Sequence, residues 1–98
     1  MASELTQIKA TLQELGHEVR RDYKAEIVGL FGSYVRGQQK KESDLDILVR
    51  FYEGATLFDL VGLGDFLEEK LSLRVDIVSE RAIKPELKER ILKEVVAI

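Results

Sequence analysis

Two aspartates open an otherwise apolar segment in the middle of the chain. The segment Asp44–Phe51 is rich in Ile, Leu and Val, which predicts a strand. Because side chains alternate across a strand, Asp44 and Asp46 are predicted to share one face. Two neighbouring carboxylates repel each other, and a divalent cation relieves that repulsion. Mg²⁺ takes oxygen ligands and binds carboxylates together with substrate phosphates, so the pair predicts a magnesium site.

A third aspartate lies in a later apolar segment. Asp76 is in the middle of Arg74–Val78, which predicts another strand. If this strand pairs beside the previous one, Asp76 faces the same place as Asp44 and Asp46. Three such carboxylates can hold two metal ions ~3.5–4 Å apart, which activate an attacking oxygen and stabilise a leaving phosphate. We therefore expect these three aspartates to be the catalytic and metal-binding residues.

A glycine-serine turn precedes the aspartates. Gly32 and Ser33 follow the short apolar run Glu26–Phe31, which predicts a buried strand. Glycine lets the backbone approach a ligand closely, and Ser33 offers a hydroxyl and an N–H at the start of a short helix, where phosphate is favoured. Arg36 either meets phosphate oxygens or anchors the loop. Gly32, Ser33 and Arg36 are therefore the predicted nucleotide-binding residues.

The elements that must position these residues alternate between helix and strand. Apolar residues recur at spacings of three and four along the first segment, which predicts a helix from about Glu4 to Arg21 with Ser3 as its N-cap. A capping-box pattern begins another helix at Thr56, and Pro85 suits the first turn of the last helix. The predicted order is helix, strand, short helix, strand, helix, strand, helix. We therefore expect an α/β (α+β) fold with helices packed against a small mixed sheet.

Apolar stripes on the two later helices predict their packing faces. These stripes comprise Leu57, Leu60, Val61, Leu67 and Leu71 in the first of them, and Leu87, Ile91 and Val95 in the second. Gly62 and Gly64 interrupt the first of these helices. No strand precedes them, so they indicate close packing or a surface for a partner helix rather than a nucleotide loop. The tail, residues 95–98, predicts either a helix end or a brief added strand.

Composition excludes several other classes of protein. The chain has 98 residues, 45% of them hydrophobic, with a net charge of −3 and no cysteine. These values predict one domain over residues 1–98, without disulfides or thiolate metal sites. No apolar run approaches the ~18–20 residues of a membrane helix, and the first residues lack a signal-peptide pattern, so we expect a cytoplasmic protein. The acidic balance argues against nucleic-acid binding.

The combined pattern resembles a known enzyme superfamily. Gly32-Ser33, Arg36-Gly37 and Ser43-Asp44-Leu45-Asp46, followed by Asp76, are similar to the signature of the DNA polymerase beta-like nucleotidyltransferases. The short chain and this spelling most resemble the minimal nucleotidyltransferases, which are often antitoxins paired with HEPN-domain toxins.

This resemblance implies a single minimal nucleotidyltransferase domain that transfers AMP from ATP to a tyrosine hydroxyl of a partner HEPN toxin, with two Mg²⁺ ions. Asp44 and Asp46 would ligate both ions, while Asp76 would bind the catalytic ion and help to deprotonate the acceptor. Ser33 and the backbone of Gly32 would hold the triphosphate. The resemblance leaves open whether the chain assembles with its own copies or with the partner.

Two other functions remain open at this point. The domain could be a binding module that neutralises its partner by contact alone, with the carboxylates as a relic or a structural metal site. It could also be a DNA-binding autorepressor, although the acidic pI counts against that function. The mass of the partner after incubation with ATP and Mg²⁺ separates the enzyme from the binding module.

Overall fold

The computed structural model describes residues 4–98. Its helices and strands follow one another in the order α1 (Glu4–Tyr23), β1 (Ala25–Phe31), α2 (Ser33–Arg36), β2 (Leu45–Phe51), α3 (Leu57–Leu71), β3 (Val75–Ser79) and α4 (Pro85–Glu94). A 3-10 turn, Glu80–Ala82, connects β3 to α4. This order confirms the predicted alternation of elements, and the predicted cap Ser3 lies outside the described residues. Between residues 4 and 98, no helix has the length and apolar character needed to cross a membrane.

The three strands form a mixed sheet in the order β1-β2-β3. β1 and β2 are antiparallel, whereas β2 and β3 are parallel. Parallel neighbours need a crossover connection, and α3 supplies it. The predicted α/β fold with a small mixed sheet is therefore confirmed.

The hydrophobic core lies between one face of the sheet and the helices α1 and α3. Because side chains alternate along β2, the face that carries Leu45, Ile47 and Val49 is buried, and Asp46 lies on the opposite face. The helical side of the core consists of Ile8, Leu12, Leu15 and Val19 from α1, with Leu63 and Leu67 from α3. That opposite face also carries the fully buried Leu48, so only its end at Asp46 is left for the site.

The buried face of α3 differs from the predicted stripe. Leu63 and Leu67 are fully buried, whereas Leu57 and Val61 are largely exposed. At 3.6 residues per turn, Val61 points about 160° away from Leu63 around the helix. Apolar residues thus lie on both faces of α3. The predicted stripe combined residues of the buried face with residues of the exposed face.

The last helix is more loosely packed than predicted. No residue of α4 is buried, and Leu87 is exposed, so its predicted apolar stripe does not form a core face. The tail after α4 forms a brief antiparallel bridge between Val96 and Leu30. The Leu30 N–H donates to the Val96 carbonyl at an N to O distance of 2.9 Å, and the Val96 N–H donates to the Leu30 carbonyl at 2.8 Å. The added-strand alternative is therefore the one that the tail adopts.

Candidate active site

The register of the parallel strands brings two of the predicted aspartates face to face. Asp46 of β2 and Asp76 of β3 are direct partners in the ladder. Adjacent strands are about 4.8 Å apart, so partner side chains on one face contact each other. Asp76 is exposed and Asp46 is half-buried, which leaves the pair open to solvent on the side of β3.

The electrostatics of this pair are unfavourable for a second negative charge. The pKa of Asp46 is raised to about 6, first by burial, then by the charge of Asp76 and a hydrogen bond with it, and last by the charge of Asp44. The guanidinium of Arg36 opposes this shift in part. A cation bound between the carboxylates would offset the repulsion between their negative charges.

The glycine-serine turn lies directly against this carboxylate. Gly32 has a φ of +83°, and a Cβ at this position would lie 2.0 Å from Asp46 Oδ2. Both facts require glycine, because any side chain would be strained and would displace the carboxylate. The Gly32 carbonyl accepts hydrogen bonds from the N–H groups of Val35 and Arg36, both at 3.1 Å, which starts α2 at Ser33. Gly32 and Ser33 are thus held beside the aspartate pair.

Asp44 lies close enough for its charge to act on Asp46, but its carboxylate is paired with another residue. β2 begins at Leu45 rather than at the predicted Asp44. The half-exposed Asp44 carboxylate pairs instead with Arg74, at 3.1 Å from Oδ1 to Nε. Among residues 4–98, no three histidine, cysteine or acidic side chains are arranged to hold a metal ion. Asp46 and Asp76 therefore lie together, while Asp44 pairs with Arg74, the residue just before β3.

The residues present nevertheless fit a hard divalent cation. Asp46 and Asp76 supply oxygen donors, and Gly32 keeps the space above Asp46 free of a side chain. The ion pair between Asp44 and Arg74 is solvent-exposed on both sides, and such pairs contribute little to stability. Breaking that ion pair therefore costs little free energy, and the charge of Asp44 already acts on Asp46.

Arg36 is tied to the last helix rather than free in solvent. Its guanidinium forms an ion pair with Glu94 of α4 and donates to Gln38 Oε1 at 3.1 Å. The structure thus shows the anchoring contact that was one of the two predicted roles. Its proposed contact with nucleotide stays a prediction.

Arg74 is not among the residues predicted for the site, although it positions them. It pairs with Asp44, its side chain donates to the carbonyl of Glu42, and its own carbonyl accepts from the N–H of Leu45 at 2.8 Å. The available signal was strand periodicity, since Arg74 precedes Asp76 by two positions and so lies on the same side of the strand.

Known proteins share this fold and sequence pattern. The family model described as a nucleotidyltransferase domain matches residues 9–98. A protein adenylyltransferase named MntA from Thermococcus cleftensis is 39% identical over 94 residues, which is 96% of this chain and 95% of that protein.

Solved structures of nucleotidyltransferase and toxin-antitoxin proteins are also similar to this chain in fold and sequence. One described as a candidate minimal nucleotidyltransferase has a TM-score of 0.76 and 41% identity, covering 94% of this chain and 89% of that one. A toxin-antitoxin crystal structure with AMP-PNP has a TM-score of 0.67 and 28% identity, covering 83% of this chain and 67% of that one.

Proposed function

Since the chain belongs to the nucleotidyltransferase domain family, we propose that it transfers AMP from ATP to a tyrosine hydroxyl of a partner HEPN-domain toxin and so acts as an antitoxin. The observation that carries this proposal is the in-register pairing of Asp46 with Asp76 directly beside Gly32. This places two carboxylates next to a backbone turn that can admit phosphate.

The choice of ATP as donor is supported by two relatives. One is named a protein adenylyltransferase, and one was crystallised as a toxin-antitoxin pair with AMP-PNP, a non-hydrolysable ATP analogue. Gly32 and Ser33 would hold the triphosphate, with backbone N–H groups of the turn facing its oxygens. Arg36 would add a positive charge beside them.

The proposed reaction is a single displacement at phosphorus. The acceptor oxygen attacks the α-phosphorus, and the bond from that phosphorus to the oxygen bridging to the β-phosphate breaks. Pyrophosphate leaves with the bonding electron pair, and the hydroxyl proton passes to a carboxylate oxygen of Asp76. Asp76 suits this role because it is exposed, whereas Asp46 is half-buried.

Asp44, Asp46 and Asp76 would hold Mg²⁺, with two ions expected. When bound, the metal would neutralise charge on the phosphates and lower the pKa of the acceptor hydroxyl. To bind the metal, Asp44 would have to leave its ion pair with Arg74. Arg74 would then remain beside the site, held by its hydrogen bond to the carbonyl of Glu42.

The test is to incubate the chain with ATP, Mg²⁺ and the protein encoded by the neighbouring gene, and to weigh that protein by intact mass spectrometry. We expect a gain of one or more AMP units. Asp46→Asn and Asp76→Asn should abolish it, whereas Glu14→Gln, an exposed substitution on α1, should retain it. Inhibition of the partner without any mass change would instead establish a non-catalytic binding module.

A further inference from the structure

An acidic residue ends the last helix, at a position where helices favour basic ones. Glu94 is the last residue of α4, and the C-terminal end of a helix carries partial negative charge. A carboxylate there is unfavourable unless a cation compensates it, and the guanidinium of Arg36 does so. Among residues 4–98, this is the only ion pair that joins α4 to another element.

This ion pair lies beside the aspartate pair. The charge of Arg36 acts on Asp46, so the guanidinium is within electrostatic range of the two carboxylates. Val95, which directly follows α4, lies over β1, because a Cβ at Gly29 would be 2.6 Å from Val95 Cγ1. The C-terminal end of α4 is therefore held near the end of β1 that leads into the glycine-serine turn.

Glu94 is partly shielded from solvent, although α4 as a whole is not. No residue of α4 is buried, and Leu87 and Leu92 are both exposed. The Glu94 side chain is only 26% exposed, whereas that of Glu89 on the same helix is 81% exposed. Because partly buried charges are screened less than exposed ones, the contact of Glu94 with Arg36 is stronger than an ordinary surface pair.

A phosphate that binds Arg36 must compete with the protein partners of this side chain. Nε donates to Gln38 Oε1 at 3.1 Å, and Nη1 is paired with the Glu94 carboxylate. A guanidinium binds phosphate best through two nitrogens, and any two of its three nitrogens include one that is already engaged. Sharing with the neutral amide of Gln38 causes no charge repulsion, whereas sharing with Glu94 brings two anions together.

We propose that Glu94 lowers the affinity of the site for nucleotide by competing with the triphosphate for Arg36. This inference rests on the proposed function, because it requires that Arg36 contact the nucleotide. Carboxylate and phosphate are alternative partners of one guanidinium, so the ion pair must be broken or shared when nucleotide binds. The free energy spent in doing so reduces the affinity for nucleotide.

The experiment measures the affinity for AMP-PNP with Mg²⁺ in a double-mutant cycle, by isothermal titration calorimetry. Glu94→Gln removes the charge but keeps a side chain of the same shape, whose amide oxygen can still accept a hydrogen bond from Arg36. Arg36→Gln removes the guanidinium, and the double variant removes both groups. Glu89→Gln is the matched control, since it deletes an equal charge from the exposed pair with Lys93 on the same helix.

We expect Glu94→Gln to bind AMP-PNP about three- to fivefold more tightly than wild type does, and Glu89→Gln to bind it as wild type does. In the Arg36→Gln background, Glu94→Gln should leave the affinity unchanged, since the competition acts through the guanidinium.

Unchanged or weaker binding by Glu94→Gln would overturn the inference, and AMP transfer by the wild type would then leave the proposed function standing. An equal gain in the Arg36→Gln background would also overturn it, because the Glu94 charge would then act on the nucleotide without Arg36. If neither the wild type nor any variant binds AMP-PNP, both the inference and the proposed function are refuted.

Discussion

At Asp46 the fold holds a carboxyl group where its charge is disfavoured. The folded-state pKa of about 6 lies above the ordinary aspartate value of 3.8 because of burial, the charge of Asp76 and the hydrogen bond between the two side chains. The native state therefore binds this proton more tightly than the unfolded chain does. The resulting stabilisation is present at low pH and is lost as pH rises from about 4 to about 6.

Replacing Asp46 with asparagine should make the protein more stable at neutral pH. The full shift corresponds to about 3 kcal/mol, but the group is only half-buried, so we expect a gain of about 1 kcal/mol at pH 7.5 and none at pH 4. Urea unfolding at both pH values measures it. Asp65→Asn is the control and should change stability little at either pH. A loss of stability at pH 7.5 for Asp46→Asn would contradict the described environment.

The two faces of α3 have different surroundings. Leu63 and Leu67 are buried in the core, while Phe58 and Val61 face solvent. The helix begins with a capping contact in which the Thr56 N–H donates to Asp59 Oδ2 at 2.9 Å. A well-capped and well-anchored helix can tolerate a destabilising glycine at position 64 without unfolding.

Gly64→Ala should therefore stabilise the protein by about 0.5–1 kcal/mol, because alanine is the better helix former and its Cβ meets nothing closely. Thermal unfolding gives the comparison. Gly62→Ala is the matched control, and its gain should be smaller because its Cβ presses on Tyr23. Equal gains in stability at both positions would contradict this expectation and would show that the Tyr23 ring moves aside at no measurable cost.

The C-terminal tail closes over β1 at a second glycine. A Cβ at Gly29 would lie 2.5 Å from the carbonyl oxygen of Val96 and 2.6 Å from Val95 Cγ1. Gly29→Ala should therefore destabilise the protein by about 1–3 kcal/mol, or detach the tail. Hydrogen exchange at the Leu30 and Val96 amides, which bond each other's carbonyls, distinguishes the two effects. Gly16→Ala, where the new Cβ would meet nothing within 4 Å beyond its own helix backbone and chain neighbours, should be stabilising in the same assay.

Across the whole molecule, the site draws on residues far apart in the chain. Asp46 comes from β2, Asp76 from β3, and Gly32 from the turn after β1. Arg36 of that turn is linked by its ion pair to Glu94 of α4. Any ligand that bridges these parts binds the folded chain and not the unfolded one, so it stabilises the entire fold.

Mg²⁺ should accordingly raise the unfolding temperature at pH 7.5. At a concentration ten times its Kd, the gain is about 1.4 kcal/mol, or a rise of several degrees for a chain of this size. Differential scanning calorimetry at constant ionic strength, with NaCl in place of MgCl₂, isolates the specific effect. Asp76→Asn should remove it. An identical rise in that variant would place Mg²⁺ elsewhere on the surface.

Much of the fold and part of the candidate site could be predicted from the sequence because those features are local. Periodicity within one segment identifies a helix or a strand, and Gly32 next to Ser33 identifies a backbone turn without a side chain. The predicted strand that carries Asp76 begins one residue early, as does the strand with Asp44, since the ends of strands depend on their partners.

By itself, the sequence determined the order of the elements, the mixed α/β class and the family to which the chain belongs, since these follow from short-range patterns and a motif. Tertiary structure alone decided that Asp46 faces Asp76 while Asp44 pairs with Arg74, and that Val61 points to solvent rather than into the core. Strand register, helix orientation and ion pairing join residues distant in the chain. Their outcome depends on packing and charge summed over the whole fold, which no single segment encodes.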